Sequence, residues 1–443
     1  MRKNHLSSLI LLATSLTMVG CGSKSNDAPL LQTEVSVKLD GGLNNKSYDL
    51  KLKYDDTYFL KDAKEYDKEL SELSFGASLA SKTPQAGNDF FKKIEFEDVL
   101  TKGYGSDTSE DSCAYILAHK TINDYKLVSV SFRGFNYQKE WANNLKIGET
   151  GNHKGFSGCA SIAYSDLQEY ISSYCEEKTI KLWLNGYSRG GALSNVLASI
   201  ILKDKKINVL EENMFVYTFE SPRGLVKEDA VEYKNVHNIV NSCDLVTNIA
   251  PQEYELYRCG VDKEIYNDNV INIARQFDEN ILIPEFIATA YYKNDKQVLN
   301  YILSGIVNNP GIADDRSAND REHFSKNYES GISYIVGLLF SLKDTTRNKL
   351  INSLKSMGSS LLTMLGDETG AQLSYFLVPY LKTDSIAYEN ATLLANCAII
   401  CKAFNSLSDP LMSVFMNASA DITRILDMHY PEVTYALLLN AHK

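Results

Sequence analysis

Apolar and polar positions alternate in a regular order along the first part of the chain. From about 31 to 53 the stretch "TEVSVKLDGGLNNKSYDLKLKY" (33–54) alternates and turns at Gly41-Gly42, the pattern of a β-hairpin. Residues 58–82 show helical spacing. "CAYILAHKTI" (113–122) and "YKLVSVSF" (125–132) read as strands, and 155–176 reads as a helix. Strand 179–185, helix 190–203 and strands 214–219 and 236–242 continue the series. Short apolar strands alternating with helices imply a parallel sheet covered on both faces. Ligands of such sheets bind at the carboxyl ends of the strands. From about 270 to 427 the period is helical throughout, without a repeat unit. The organisation expected is an α/β core over 31–269, a helical cap over 270–427, and 428–443 returning to the core.

The first residues have another pattern. "MRKNH" is basic and "LSSLILLATSLTMVG" is apolar but short for a membrane span, which together describe an export signal over 1–20. It runs into "MVGC", which resembles the lipobox of bacterial lipoproteins. That resemblance implies that Cys21 carries lipid, with 21–30 as a polar tether to the cell membrane. Multiple acyl chains anchor a protein stably where one does not. No other segment is apolar enough to span a bilayer.

Composition narrows the classes. The 443 residues are 44% hydrophobic and 23% charged, as expected of a globular protein with a real core. A net charge of −11 without a clustered basic face argues against nucleic acid as a partner. The seven cysteines besides Cys21 have no zinc-site spacing, and buried free thiols are the plainer reading. Nothing in the pattern calls for a metal or another cofactor.

"GYSRGGALSN" (186–195) raises the chemistry. Gly-x-Ser-x-Gly alone is weak, expected by chance roughly 0.1 to 0.15 times in such a chain. Here it joins strand 179–185 to helix 190–203. That is the context of a nucleophile elbow, where the serine takes positive φ and close packing demands glycine on either side. Ser188 is therefore the candidate nucleophile, and the helix start behind it favours a developing oxyanion.

A nucleophilic serine needs a base and an orienting acid, in the chain order Ser, Asp/Glu, His for this arrangement. Asp244 follows the strand in "VHNIVNSCDLV", and Glu220 in "YTFESPRG" is a rival one strand earlier. Of the seven histidines, His5 lies in the signal, while His119, His153 and His237 precede the acid. His442 is next to the chain end, where chains fray. His323 and His429 remain. His429 fits better, because it precedes Pro431, a residue suited to a helix start.

In order, "SFRGFNYQKEWANNL", "HKGF", "GYSRGGALSNVLA", "YTFESPRG" and "NSCDLVTNIAP" resemble the class 3 (fungal-type) lipases over roughly 110–260. The resemblance implies an α/β-hydrolase fold with a mostly parallel sheet and hydrolysis of carboxylic esters. It maps Ser188 to the nucleophile and Asp244 to the acid, and a histidine before the last helix favours His429. It places an oxyanion hole at the backbone N–H groups of Phe135 and Arg189. Two departures stand out. Phe135 replaces the usual Thr or Ser and offers no hydroxyl. Arg189 stands where many members are apolar, where it could pair with Glu220, attract an anionic substrate or face the surface.

The expected activity is that of a serine ester hydrolase acting on an ester, above all a lipid ester, with the cap lining the acyl site. The competing reading is a surface lipoprotein that binds a ligand on the same fold without catalysis.

Overall fold

The computed structural model describes residues 29–40, 47–105, 112–134, 143–144, 146–175, 179–241, 244, 246–248, 255–265, 272–273 and 428–441. A hairpin of β1 (Gln32–Asp40) and β2 (Ser47–Asp55) stands beside a seven-stranded sheet. The sheet runs in chain order: β3 (Glu97–Lys102), β4 (Tyr115–Ile122), β5 (Tyr125–Phe132), β6 (Thr179–Tyr187), β7 (Met214–Phe219), β8 (Val236–Val240) and β9 (Val261–Glu264). From β5 to β9 every pairing is parallel, whereas β3–β4 and β4–β5 are antiparallel. The sheet is thus mostly parallel with an antiparallel flank, the α/β-hydrolase class expected from the sequence.

The helix expected over 58–82 is broken into a 3-10 turn, Asp56–Leu60, and α1, Lys68–Ala80. Polar caps make the break. Asp55 accepts from the N–H of Thr57, and Asp67 accepts from that of Leu70. Thr83 then caps α2 (Pro84–Lys93), which has a proline in its first turn. Strands β3 and β9 are additions to the sequence reading. Both are edge strands with few buried residues, and β3 carries a register shift between Glu97 and Leu100, so neither alternates cleanly.

Two apolar layers cover the sheet. The hairpin, α1, α2 and α5 (Pro431–Asn440) cover one face; α3 (Lys154–Tyr174) and α4 (Arg189–Asp204) cover the other. Strand β6 divides its side chains between them. Leu182 and Leu184 enter the α3/α4 layer, while Trp183 enters the α1 layer and donates from Nε1 to Ser74 Oγ at 2.8 Å. Burial of Val433, Leu437 and Leu438 docks α5, each side chain worth about 1.5–3 kcal/mol. Residues 431–440 therefore rejoin the core. The cap expected over 270–427 lies outside the described residues except for 272–273. Cys113, Cys159, Cys175 and Cys259 are buried free thiols. Among the described residues no helix is long and apolar enough to cross a membrane.

Candidate active site

The carboxyl ends of β6, β7 and β8 converge, and each delivers one acidic or nucleophilic side chain. Strand β6 ends at Tyr187, and Ser188 follows with φ +54° before α4 begins at Arg189. A non-glycine residue at this φ is strained by roughly 1–3 kcal/mol and persists only where its surroundings impose it. They do so here. The Ser188 N–H donates to the Phe219 carbonyl at 2.8 Å, tying the turn to the end of β7. A Cβ on Gly186 would lie 2.1 Å from the Gly190 oxygen, and one on Gly134 would lie 1.7 Å from the Tyr187 oxygen. The strand end that carries Phe-Arg-Gly and the elbow therefore touch backbone to backbone.

His429 reaches this serine from a turn just before α5. Its Nε2 lies 2.7 Å from Ser188 Oγ, and its Nδ1 lies 2.6 Å from Asp244 Oδ2. Asp244 is fully buried, and its other oxygen accepts from the Val246 N–H at 2.8 Å. Ser188 is buried, with 8% of its surface exposed. Tyr187, which the sequence reading passed over, holds the histidine from behind. Its hydroxyl donates to the His429 carbonyl and its ring stacks on the imidazole, with centroids 5.4 Å apart. The signal was in the motif itself, since the residue before the elbow serine must leave the strand on the opposite side.

The rival acid, Glu220, does not meet the histidine. It sits just past β7 with φ +48°, fully buried. Its Oε2 accepts from the Asn241 N–H at 2.8 Å and its Oε1 from Thr434 Oγ1 at 3.1 Å. Burial, with the Asp244 charge beside it, pushes the Glu220 carboxyl well above the usual carboxylate range.

The remaining candidates have other places. His153 caps α3 and stacks on Phe156, and His237 lies in β8 with Nε2 3.0 Å from the Ala63 oxygen. His323, Phe135 and Cys21 lie outside the described residues. The options for Arg189 need correcting. The side chain neither pairs with Glu220 nor faces the surface, but is buried and donates to the Ser112 carbonyl at 3.0 Å and Asn143 Oδ1 at 3.5 Å. Its long stem carries the guanidinium down to one backbone and one side-chain oxygen that need a donor.

Similar structures come from fungi among others, at low similarity. A triacylglycerol lipase described as having a serine protease triad is 18% identical with TM-score 0.36, over 46% of this chain and 83% of that one. The Rhizomucor miehei lipase propeptide complex is 16% identical with TM-score 0.35, over 46% of this chain and 71% of that one. The lipase from Rhizopus microsporus var. chinensis is 18% identical with TM-score 0.35, over 46% and 77%. No curated protein matches the chain. Residues 129–254, from β5 through the elbow to just past Asp244, match the family model Lipase (class 3).

Proposed function

We propose that the protein is a serine esterase of lipid esters that works through Ser188, His429 and Asp244. The observation that carries this reading is the unbroken chain of short contacts from Asp244 through His429 to Ser188. In the first half-reaction Ser188 Oγ bonds to the ester carbonyl carbon while its proton passes to His429 Nε2. Asp244 accepts from Nδ1–H, holding the imidazole in the tautomer whose Nε2 can take a proton and stabilising the imidazolium. The tetrahedral oxyanion accepts from the backbone N–H groups of Arg189 and Phe135, and the start of α4 adds its partial positive charge. Collapse breaks the bond to the alcohol, which leaves with the proton from His429. Water then repeats the sequence on the acyl-enzyme, releasing the acid and restoring Ser188.

The lipid character of the substrate is supported by the family match over 129–254 and by the apolar helical periodicity of 270–427, which suits a cover over an acyl chain. Attachment to the cell membrane through Cys21 is supported by the basic, apolar and lipobox-like order of 1–21. Hydrolysis of a p-nitrophenyl ester tests the triad. Ser188→Ala removes turnover, by about 10⁶-fold in kcat where such triads have been dissected. His429→Ala falls with it and His323→Ala does not. Wild-type turnover in Ser188→Ala overturns the reading.

A further inference from the structure

Glu220 is a buried acidic side chain beside the triad that the reaction does not use, and its setting is unusual in three respects. It occupies a left-handed backbone position, φ +48°, that a glycine would take without strain. Its side chain is fully buried. Its two oxygens join the two elements that carry the acid and the base. One accepts from the N–H of Asn241, in the turn that leads to Asp244, whose own N–H donates to the Asn241 carbonyl at 3.0 Å. The other accepts from Thr434 on α5, whose preceding turn carries His429. Asn241 closes the ring by donating from Nδ2 to the carbonyl of Met428, the neighbour of His429, at 3.2 Å.

Both carboxyls are fully buried, and burial together with the neighbouring Asp244 charge pushes the Glu220 carboxyl up, which holds a proton on Glu220. The Asp244 oxygens are occupied by the Val246 N–H and His429 Nδ1. Other groups that bear on this proton are the Tyr187 phenol from β6 and Arg258, whose charge acts on both acids while it is bonded to Asp262.

We propose that Glu220 is a positioning residue: as a neutral carboxylic acid it donates to Asp244 and clips the acid's turn to the helix behind the histidine. This rests on the reading of Ser188, His429 and Asp244 as the working triad. A carboxylate held by the Val246 N–H, the Glu220 hydroxyl and its imidazole cannot swing, so His429 keeps its line to Ser188. Loss of such support loosens a site by a fraction of an ångström to an ångström, which costs about tenfold to a hundredfold in rate.

The test compares wild type with Glu220→Gln, Glu220→Ala and Ser188→Ala. Infrared difference spectra at neutral pH read the proton, and kcat and KM on a p-nitrophenyl ester read the positioning. The expected result is a protonated-carboxyl stretch in wild type that is absent from Glu220→Gln. Glu220→Gln, which still donates and accepts, should keep kcat within about threefold, and Glu220→Ala should lose about tenfold or more in kcat with KM little changed. If Glu220→Ala fails to fold, the infrared band and the kcat of Glu220→Gln decide alone. A wild-type spectrum without the band, a Glu220→Gln as impaired as Glu220→Ala, or a folded Glu220→Ala with wild-type kcat each overturns the proposal. Turnover persisting in Ser188→Ala instead overturns the triad reading beneath it.

Discussion

Ser188 shows how one strained residue can be held in place by its neighbours. Its φ of +54° is imposed by a hydrogen bond to Phe219 and by two backbones that meet at Gly186 and Gly190. A methyl on Gly186 has nowhere to go, because the opposing atoms are backbone rather than a flexible side chain. Gly186→Ala should therefore cost well over 1 kcal/mol in denaturant unfolding and misplace the serine, with hydrolysis falling further than stability alone explains. Asp244→Asn should fold normally yet lose about 10⁴-fold in kcat, because an amide there favours the wrong imidazole tautomer. Glu220 adds a pH dependence. Its carboxyl is raised in the folded protein by burial and by Asp244, so its contribution to stability is complete below its unfolded pKa and is lost as pH rises through the folded one. In denaturant titrations from mildly acid to alkaline pH, Glu220→Gln should therefore gain stability relative to wild type as pH increases. A difference that stays flat, or moves the other way, removes the raised carboxyl from the account.

At the scale of elements, β5 and β7 and the extents of α3 and α4 were readable because their apolar residues are dense and their ends are marked. Strand β6 is an example: Leu182 and Leu184 point to one layer and Trp183 to the other, so its centre is apolar on both faces. The helix read over 58–82 failed because hydrophobic spacing continues across Asp67, whose side chain starts a new helix by capping it. Strands β3 and β9 were missed because an edge strand buries little, so its sequence carries little alternation. The chain order of serine, acid and histidine was legible, and the described residues bring Ser188, Asp244 and His429 together, with His323 outside them. The partners that hold them, Tyr187, Asn241 and Thr434, were not, because their roles depend on contacts across up to 242 positions in sequence. Helix α5 is where this matters most. Leu437 is fully buried against the core, and α5 follows directly on the turn that bears His429. Leu437→Ala should cost about 2–5 kcal/mol of stability and lower kcat more than it raises KM, as read by thermal melts and steady-state kinetics.

For the whole molecule, the fold places chemistry at the carboxyl ends of the strands of a mostly parallel sheet while its two faces are given over to packing. The antiparallel flank β3–β5 widens the sheet without contributing to the triad, and β6 to β8 each deliver a group at the carboxyl end. The proposed lipid attachment at Cys21 belongs to this scale as well. Metabolic labelling with a fatty acid should mark the mature protein at Cys21, and Cys21→Ala should abolish the label and release the protein from the membrane fraction. The central claim is that Ser188 is activated by His429 and Asp244, and labelling with a fluorophosphonate followed by peptide mapping tests it most directly. The account predicts one modified residue, Ser188, with labelling lost in Ser188→Ala and strongly slowed in His429→Ala. A folded protein that takes no label, or takes it at another residue, contradicts the account.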